Sequence, residues 1–85
     1  MAVFCLPACV ISVPTIQHVR NCIGANISRL RKRTGLSQER LAEKADLHPV
    51  YVSQIERGKK AVSVEALWKF SKALRVPMTT LFRGL

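Results

Sequence analysis

Acidic residues are scarce in this sequence: 5 Asp and Glu stand against 14 Lys and Arg among 85 residues, for a net charge of +9. Such an excess implies a polyanionic partner or surface, with nucleic acid first among them. The first 19 residues carry no charge, so every charged side chain falls between Arg20 and Leu85. A secretory signal places Lys or Arg ahead of its apolar core, and here the first cation, Arg20, follows it, so no export signal is read. Long hydrophobic runs are missing as well. The apolar stretch at the amino terminus is interrupted by Pro7, Ser12 and Pro14 and falls short of the roughly 20 apolar residues that span a bilayer. The expectation is a cytoplasmic protein with no membrane partner. Cysteine is limited to Cys5, Cys9 and Cys22, an odd and sparse set that fits reduced thiols better than a disulfide framework. The few glycines form no phosphate loop, no paired-carboxylate pattern occurs, and His18 and His48 lie near no nucleophile–acid set. Neither enzymatic activity nor a cofactor is expected. The length bounds the rest, because 85 residues make one small domain with no room for a separate sensing domain.

What the sequence does contain falls into two parts, an uncharged and largely apolar arm over residues 1–19 and a basic segment over residues 20–85. In the arm, Val10-Ile11-Ser12-Val13 is β-branched and lies between prolines, a pattern that suits a short strand or a disordered tail equally. Cys5, Cys9, His18 and Cys22 have the ligand types of a Cys3His zinc site. Their spacing is the less common one and no charged or glycine-rich scaffold surrounds them, so the cysteines are read as small apolar residues and no metal is expected. The apolar content of the arm argues against a permanently solvated tail and makes it a candidate contact for a protein partner.

Beyond the arm the periodicity is helical. Ile16, Val19, Ile23, Ile27 and Leu30 recur at steps of three and four, an amphipathic helix stopped by Gly35 whose other face carries Arg29, Lys32 and Arg33. Ser37 is placed to cap a second helix over residues 38–45, with Glu39 in its first turn and Leu41, Ala42 and Ala45 as its buried stripe. After the tight connection Asp46-Leu47-His48, Pro49 opens a third helix at the one point where its missing amide costs nothing. Val52 and Ile55 face inward and Gly58 ends this helix. Ser63 caps a fourth helix with Val64, Leu67, Phe70 and Leu74 on one face, and Pro77 begins a final turn holding Met78, Leu81 and Phe82. The predicted fold class is all-α, four to five short helices joined by connections of a few residues.

The second and third helices carry the functional reading. A short helix with a small residue at Ala42, a tight turn and a helix buried through Val52 and Ile55 form the pattern of a helix-turn-helix, because steeply crossing helices need a small side chain at closest approach. From about Ile23 through Phe82 the chain resembles the Cro and phage-repressor type of helix-turn-helix protein, the XRE family, in the runs GLSQERLAEKA, YVSQIERGK, SVEALWKFSKAL and VPMTTLF. One departure is Asp46, at a turn position where the family usually has Gly; Asp tolerates the left-handed conformation better than most residues.

The resemblance implies a lambda-repressor-like DNA-binding domain whose helix from Pro49 to Arg57 enters the major groove of double-stranded DNA. Opposite Val52 and Ile55, that helix offers His48, Pro49, Val50, Ser53 and Gln54 for reading bases, with Gln54 suited to adenine and Val50 to a thymine methyl. Gln38 matches a family position that bonds the DNA backbone, and Tyr51, Arg57, Lys59 and Lys60 are the other phosphate candidates, with Lys32 or Arg33 beside them. Arg31 is the implied partner of Glu56, in an ion pair that ties the first helix to the third. Family members commonly act as homodimers on two-fold symmetric sites, so a homodimeric repressor is expected. Trp68, Met78, Leu81, Phe82 and Leu85 are its candidate dimer contacts, and intramolecular core is the alternative for Leu81 and Phe82. The alternative function is an antitoxin-like or restriction-modification controller protein whose arm binds a protein partner.

Overall fold

The computed structural model describes residues 15–85. Residues 1–14, with Cys5, Cys9 and the Val10–Val13 segment, lie outside the described residues. Four helices follow, α1 (Ile16–Arg33), α2 (Gln38–Ala45), α3 (Pro49–Glu56) and α4 (Val64–Leu74), and a 3-10 turn over Met78–Phe82 closes the chain. No strand occurs among the described residues.

Local chemistry sets the helix starts. The first amides of a helix lack intrahelical partners, and here a side chain just ahead of each helix takes one of them. Thr15 Oγ1 accepts from the His18 amide at 3.1 Å, Ser37 Oγ from Arg40 at 3.1 Å and Ser63 Oγ from Ala66 at 3.0 Å. For α3 the same role falls to His48, whose Nδ1 accepts from the Val50 amide at 3.1 Å. The helix ends are equally uniform. Gly35, Asp46, Gly58 and Arg75 each take a left-handed φ, between 56° and 75°, and the next amide returns to a carbonyl inside the helix, as in Leu47 to Ala42 at 2.8 Å and Lys59 to Gln54 at 2.9 Å. This closure satisfies carbonyls that would otherwise be orphaned.

The helices surround one core in which Ile27, Leu41, Val52, Ile55, Phe70 and Leu81 are fully enclosed. Helix α3 packs on α1 and α2, while α4 packs chiefly on α2 and the closing turn. Gly24 lets α1 approach α3 backbone to backbone: a Cβ there would lie 2.9 Å from the Glu56 carbonyl oxygen and closer still to that of Ile55. Buried Asn26 fastens the other end of the fold, its Nδ2 donating to the carbonyls of Leu81 and Arg83 at 2.9 Å each.

Helix α1 begins at Ile16, as the apolar spacing predicts, so the limit of the uncharged arm at residue 19 lies within it. Two expectations change. Ile16 and Val64, counted on buried stripes, are 65% and 75% exposed, because each stands in the first turn of its helix, beyond the edge of the core. Leu81, a candidate dimer contact, has 0% of its surface exposed and belongs to the core of its own chain.

Candidate nucleic-acid interface

The outward face of α3 is built by what holds its inward face. Val52 and Ile55 are sealed in the core, which fixes the rotation of the helix about its axis. Val50 is then 55% exposed. His48 and Arg57 stand in solvent at the two ends, and Pro49, Tyr51, Ser53 and Gln54 are half-buried along the helix. The proposed base-reading residues therefore share one surface. The Tyr51 hydroxyl lies 3.5 Å from the Ala61 carbonyl oxygen, a long contact that leaves it free to take a better partner.

Glu56 would place a repelling carboxylate beside this surface, and three donors neutralise it. Arg31 Nε donates to Glu56 Oε2 at 2.6 Å and Arg31 Nη2 to Oε1 at 3.1 Å, in a two-pronged pair. Gln38 Nε2 donates to the same Oε1 at 2.9 Å. Arg31 also reaches the Leu36 carbonyl through Nη1 at 2.9 Å. One cluster thus joins α1, the α1–α2 turn, α2 and α3, with both charged side chains largely buried. A planar guanidinium suits this work because its donors are fixed in a fork that matches a carboxylate. Gln38, a phosphate candidate, stands in this cluster at the start of α2.

Arg57, Lys59 and Lys60 are exposed where the chain leaves α3, and Lys32 and Arg33 are exposed at the end of α1. The remaining candidates lie elsewhere. Trp68 is 51% exposed on α4, with the Lys72 ammonium 4.7 Å from its ring centroid, a cation–π geometry. Met78 packs against the core, whereas Phe82 and Leu85 remain exposed at the carboxyl end. Of the four sulfur and imidazole candidates, His18 and Cys22 sit one turn apart on α1, with Sγ 3.5 Å from Nε2; the other two lie outside the described residues. No helix among the described residues is long and apolar enough to cross a membrane.

Sequence reasoning missed Gly24, Gln17 and Asn21, which bear on α3 from α1. Gly24 carried a signal in its position, a glycine inside a helical pattern, which marks close packing when the helix persists around it. Gln17 and Asn21 carried none, since polar residues near a helix start read as solvent-facing.

Comparison with known proteins agrees with this geometry. A family model described as Helix-turn-helix matches residues 27–81. Control protein C.BamHI of Bacillus amyloliquefaciens is 42% identical over 60 residues, covering 69% of this chain and 74% of that protein. Control protein C.MunI of Mycoplasma sp is 43% identical over 63 residues, covering 73% and 85% respectively. Among solved structures, the restriction-modification controller protein C.AhdI from Aeromonas hydrophila aligns with a TM-score of 0.73 at 36% identity, over 74% of this chain and 96% of that one.

Proposed function

Because this chain belongs to the helix-turn-helix family of DNA-binding transcriptional regulators, of the Cro and phage-repressor type, we propose that it acts as a homodimer on a two-fold symmetric operator and controls a restriction-modification operon. The restriction-modification setting rests on its likeness to C.BamHI, C.MunI and C.AhdI. The site reading rests on one observation: α3 is locked by Val52 and Ile55 with its opposite face open, and the carboxylate beside that face is paired internally.

On this reading α3 lies in the major groove. Gln54 pairs with adenine, Val50 packs on a thymine methyl, Ser53 and His48 supply polar contacts, and Pro49 packs against the groove. His48 spends Nδ1 on the Val50 amide, which leaves Nε2–H as the donor it offers DNA. Gln38, Tyr51, Arg57, Lys59 and Lys60 hold phosphates and set the register. The test is titration against the chain's own upstream promoter and a scrambled duplex at two salt concentrations. The promoter should be preferred by about a thousandfold or more. Gln54→Ala should lose about 1–3 kcal/mol on the promoter alone, whereas Lys59→Ala should weaken both duplexes and reduce the salt slope by about one. Equal loss on both duplexes from Gln54→Ala would remove it from the base-reading set.

A further inference from the structure

The family match begins at residue 27, but α1 begins at Ile16. Its first turns lie ahead of the residues that the family model matches, and they grip the point where the recognition helix ends. Gln17 Nε2 donates to the Gly58 carbonyl oxygen at 2.8 Å and to Asn21 Oδ1 at 2.9 Å. The second bond orients the Gln17 amide, so that it faces Gly58 in one pose. Gly58 is buried at φ 71° and packed against Asn21.

The geometry of one peptide unit gives this contact its consequence. The Gly58 carbonyl and the Lys59 amide belong to the same rigid plane. Its oxygen is held by Gln17 from α1, and its N–H is held by the Gln54 carbonyl of α3 at 2.9 Å. Hydrogen bonds on opposite edges fix the orientation of the plane, and with it the direction in which the chain carries Lys59 and then Lys60 away from α3. With the Gln17 bond gone, only the Lys59 amide would restrain the unit, next to a glycine whose backbone tolerates several orientations.

We propose that Gln17, oriented by Asn21, is a positioning residue for the DNA-backbone contacts of Lys59 and Lys60, through the Gly58–Lys59 peptide. This rests on the reading of those two lysines as phosphate contacts. The first turns of α1 thereby act on DNA affinity without touching a base.

The experiment compares four proteins: wild type, Gln17→Met, Lys59→Ala/Lys60→Ala, and the triple variant. Each is titrated with the promoter duplex and the scrambled duplex across a salt series. Met keeps the length and helix preference of Gln but donates no hydrogen bond. Because Gln17 is exposed, the fold should survive, and thermal unfolding checks this. Asn21→Ala, which keeps the donor and loosens its aim, is the milder second variant. Gln17→Met should weaken both duplexes alike by roughly 3- to 10-fold, the range of one net hydrogen bond, and flatten the salt dependence. That loss should vanish in the background lacking both lysines. If the lysine variant is weakened and Gln17→Met is not, the positioning role is wrong while the phosphate reading stands. The same loss from Gln17→Met with and without the lysines would also overturn it. A lysine variant that binds both duplexes like wild type would remove the phosphate reading, and this inference with it.

Discussion

Arg75 and Asp46 adopt φ 59° and 56°, the conformation that Gly35 and Gly58 supply at the corresponding points of α1 and α3. For a residue with a Cβ this conformation costs about 1–2 kcal/mol. Asp offsets part of that cost through its short polar side chain, whereas Arg has no such compensation. Glycine would relieve the strain but lose more backbone freedom on folding, worth about 0.5–1 kcal/mol. Arg75→Gly is therefore expected to raise stability by roughly 0.5–1 kcal/mol, or some 2–8 °C in a domain of this size, with Asp46→Gly gaining less. Thermal unfolding measures both, and a lower midpoint for Arg75→Gly would show that strain is not what limits α4 at its end. The features legible in the sequence at this scale are those whose partner is a few residues away. Ser37, Ser63, Pro49 and the left-handed turn at Asp46 all act within their own turn, so residue type alone identifies them. Asn26 was not legible, because it answers carbonyls at Leu81 and Arg83; for Gly24 the sequence signals close packing but not its partner, the backbone of Ile55 and Glu56.

Between elements, the cluster of Arg31, Gln38 and Glu56 decides how α1, α2 and α3 sit together. Side-chain exposure is 12% for Arg31 and 5% for Glu56, so neither charge has much water to fall back on. Removing one partner strands the other, and each of Arg31→Ala and Glu56→Ala should cost roughly 3 kcal/mol. Replacing the pair by Arg31→Met/Glu56→Met should cost less than either single change, since no uncompensated charge remains. Urea unfolding of the three variants tests this, and a double variant less stable than both singles would mean that the pair itself is strongly net stabilising. DNA binding separates the roles further: Arg31→Ala should weaken the promoter complex beyond its effect on folding, because free Glu56 then faces phosphate. The helices themselves were legible from apolar spacing, and the pair from family resemblance. The ends of the stripes were not. Spacing identifies the side of a helix that faces inward, but it does not say how far the core extends along the axis, which is why Ile16 and Val64 emerge into solvent.

For the molecule as a whole, the length of α3 limits what one copy can recognise. Eight residues make a helix about 12 Å long, enough for a few base pairs. Three base contacts at about 1–3 kcal/mol each give about 3–9 kcal/mol, which at its weaker end falls short of the roughly 4–10 kcal/mol that separates specific from non-specific sites. On the proposed homodimer reading, two copies at half-sites about 34–36 Å apart double the readout, and each copy would carry a surface for self-association. Leu81 is not available, since it fills the core. Phe82 and Leu85 are 39% and 49% exposed beside it, large apolar side chains left open among the described residues. Trp68 is a poorer candidate for a two-fold contact, because Lys44, Lys69 and Lys72 share its groove with a single carboxylate, Asp46, and a symmetric partner would bring the same excess of cations to face them. Phe82→Asp/Leu85→Asp is expected to leave the thermal midpoint within a few degrees of wild type, shift sedimentation from dimer to monomer, and reduce promoter affinity toward that of scrambled DNA. Leu81→Asp should instead unfold the chain, since it places a charge in the core. If the Phe82→Asp/Leu85→Asp protein still sediments as a dimer, the interface lies elsewhere, and Val64, exposed on α4, becomes the next position to charge.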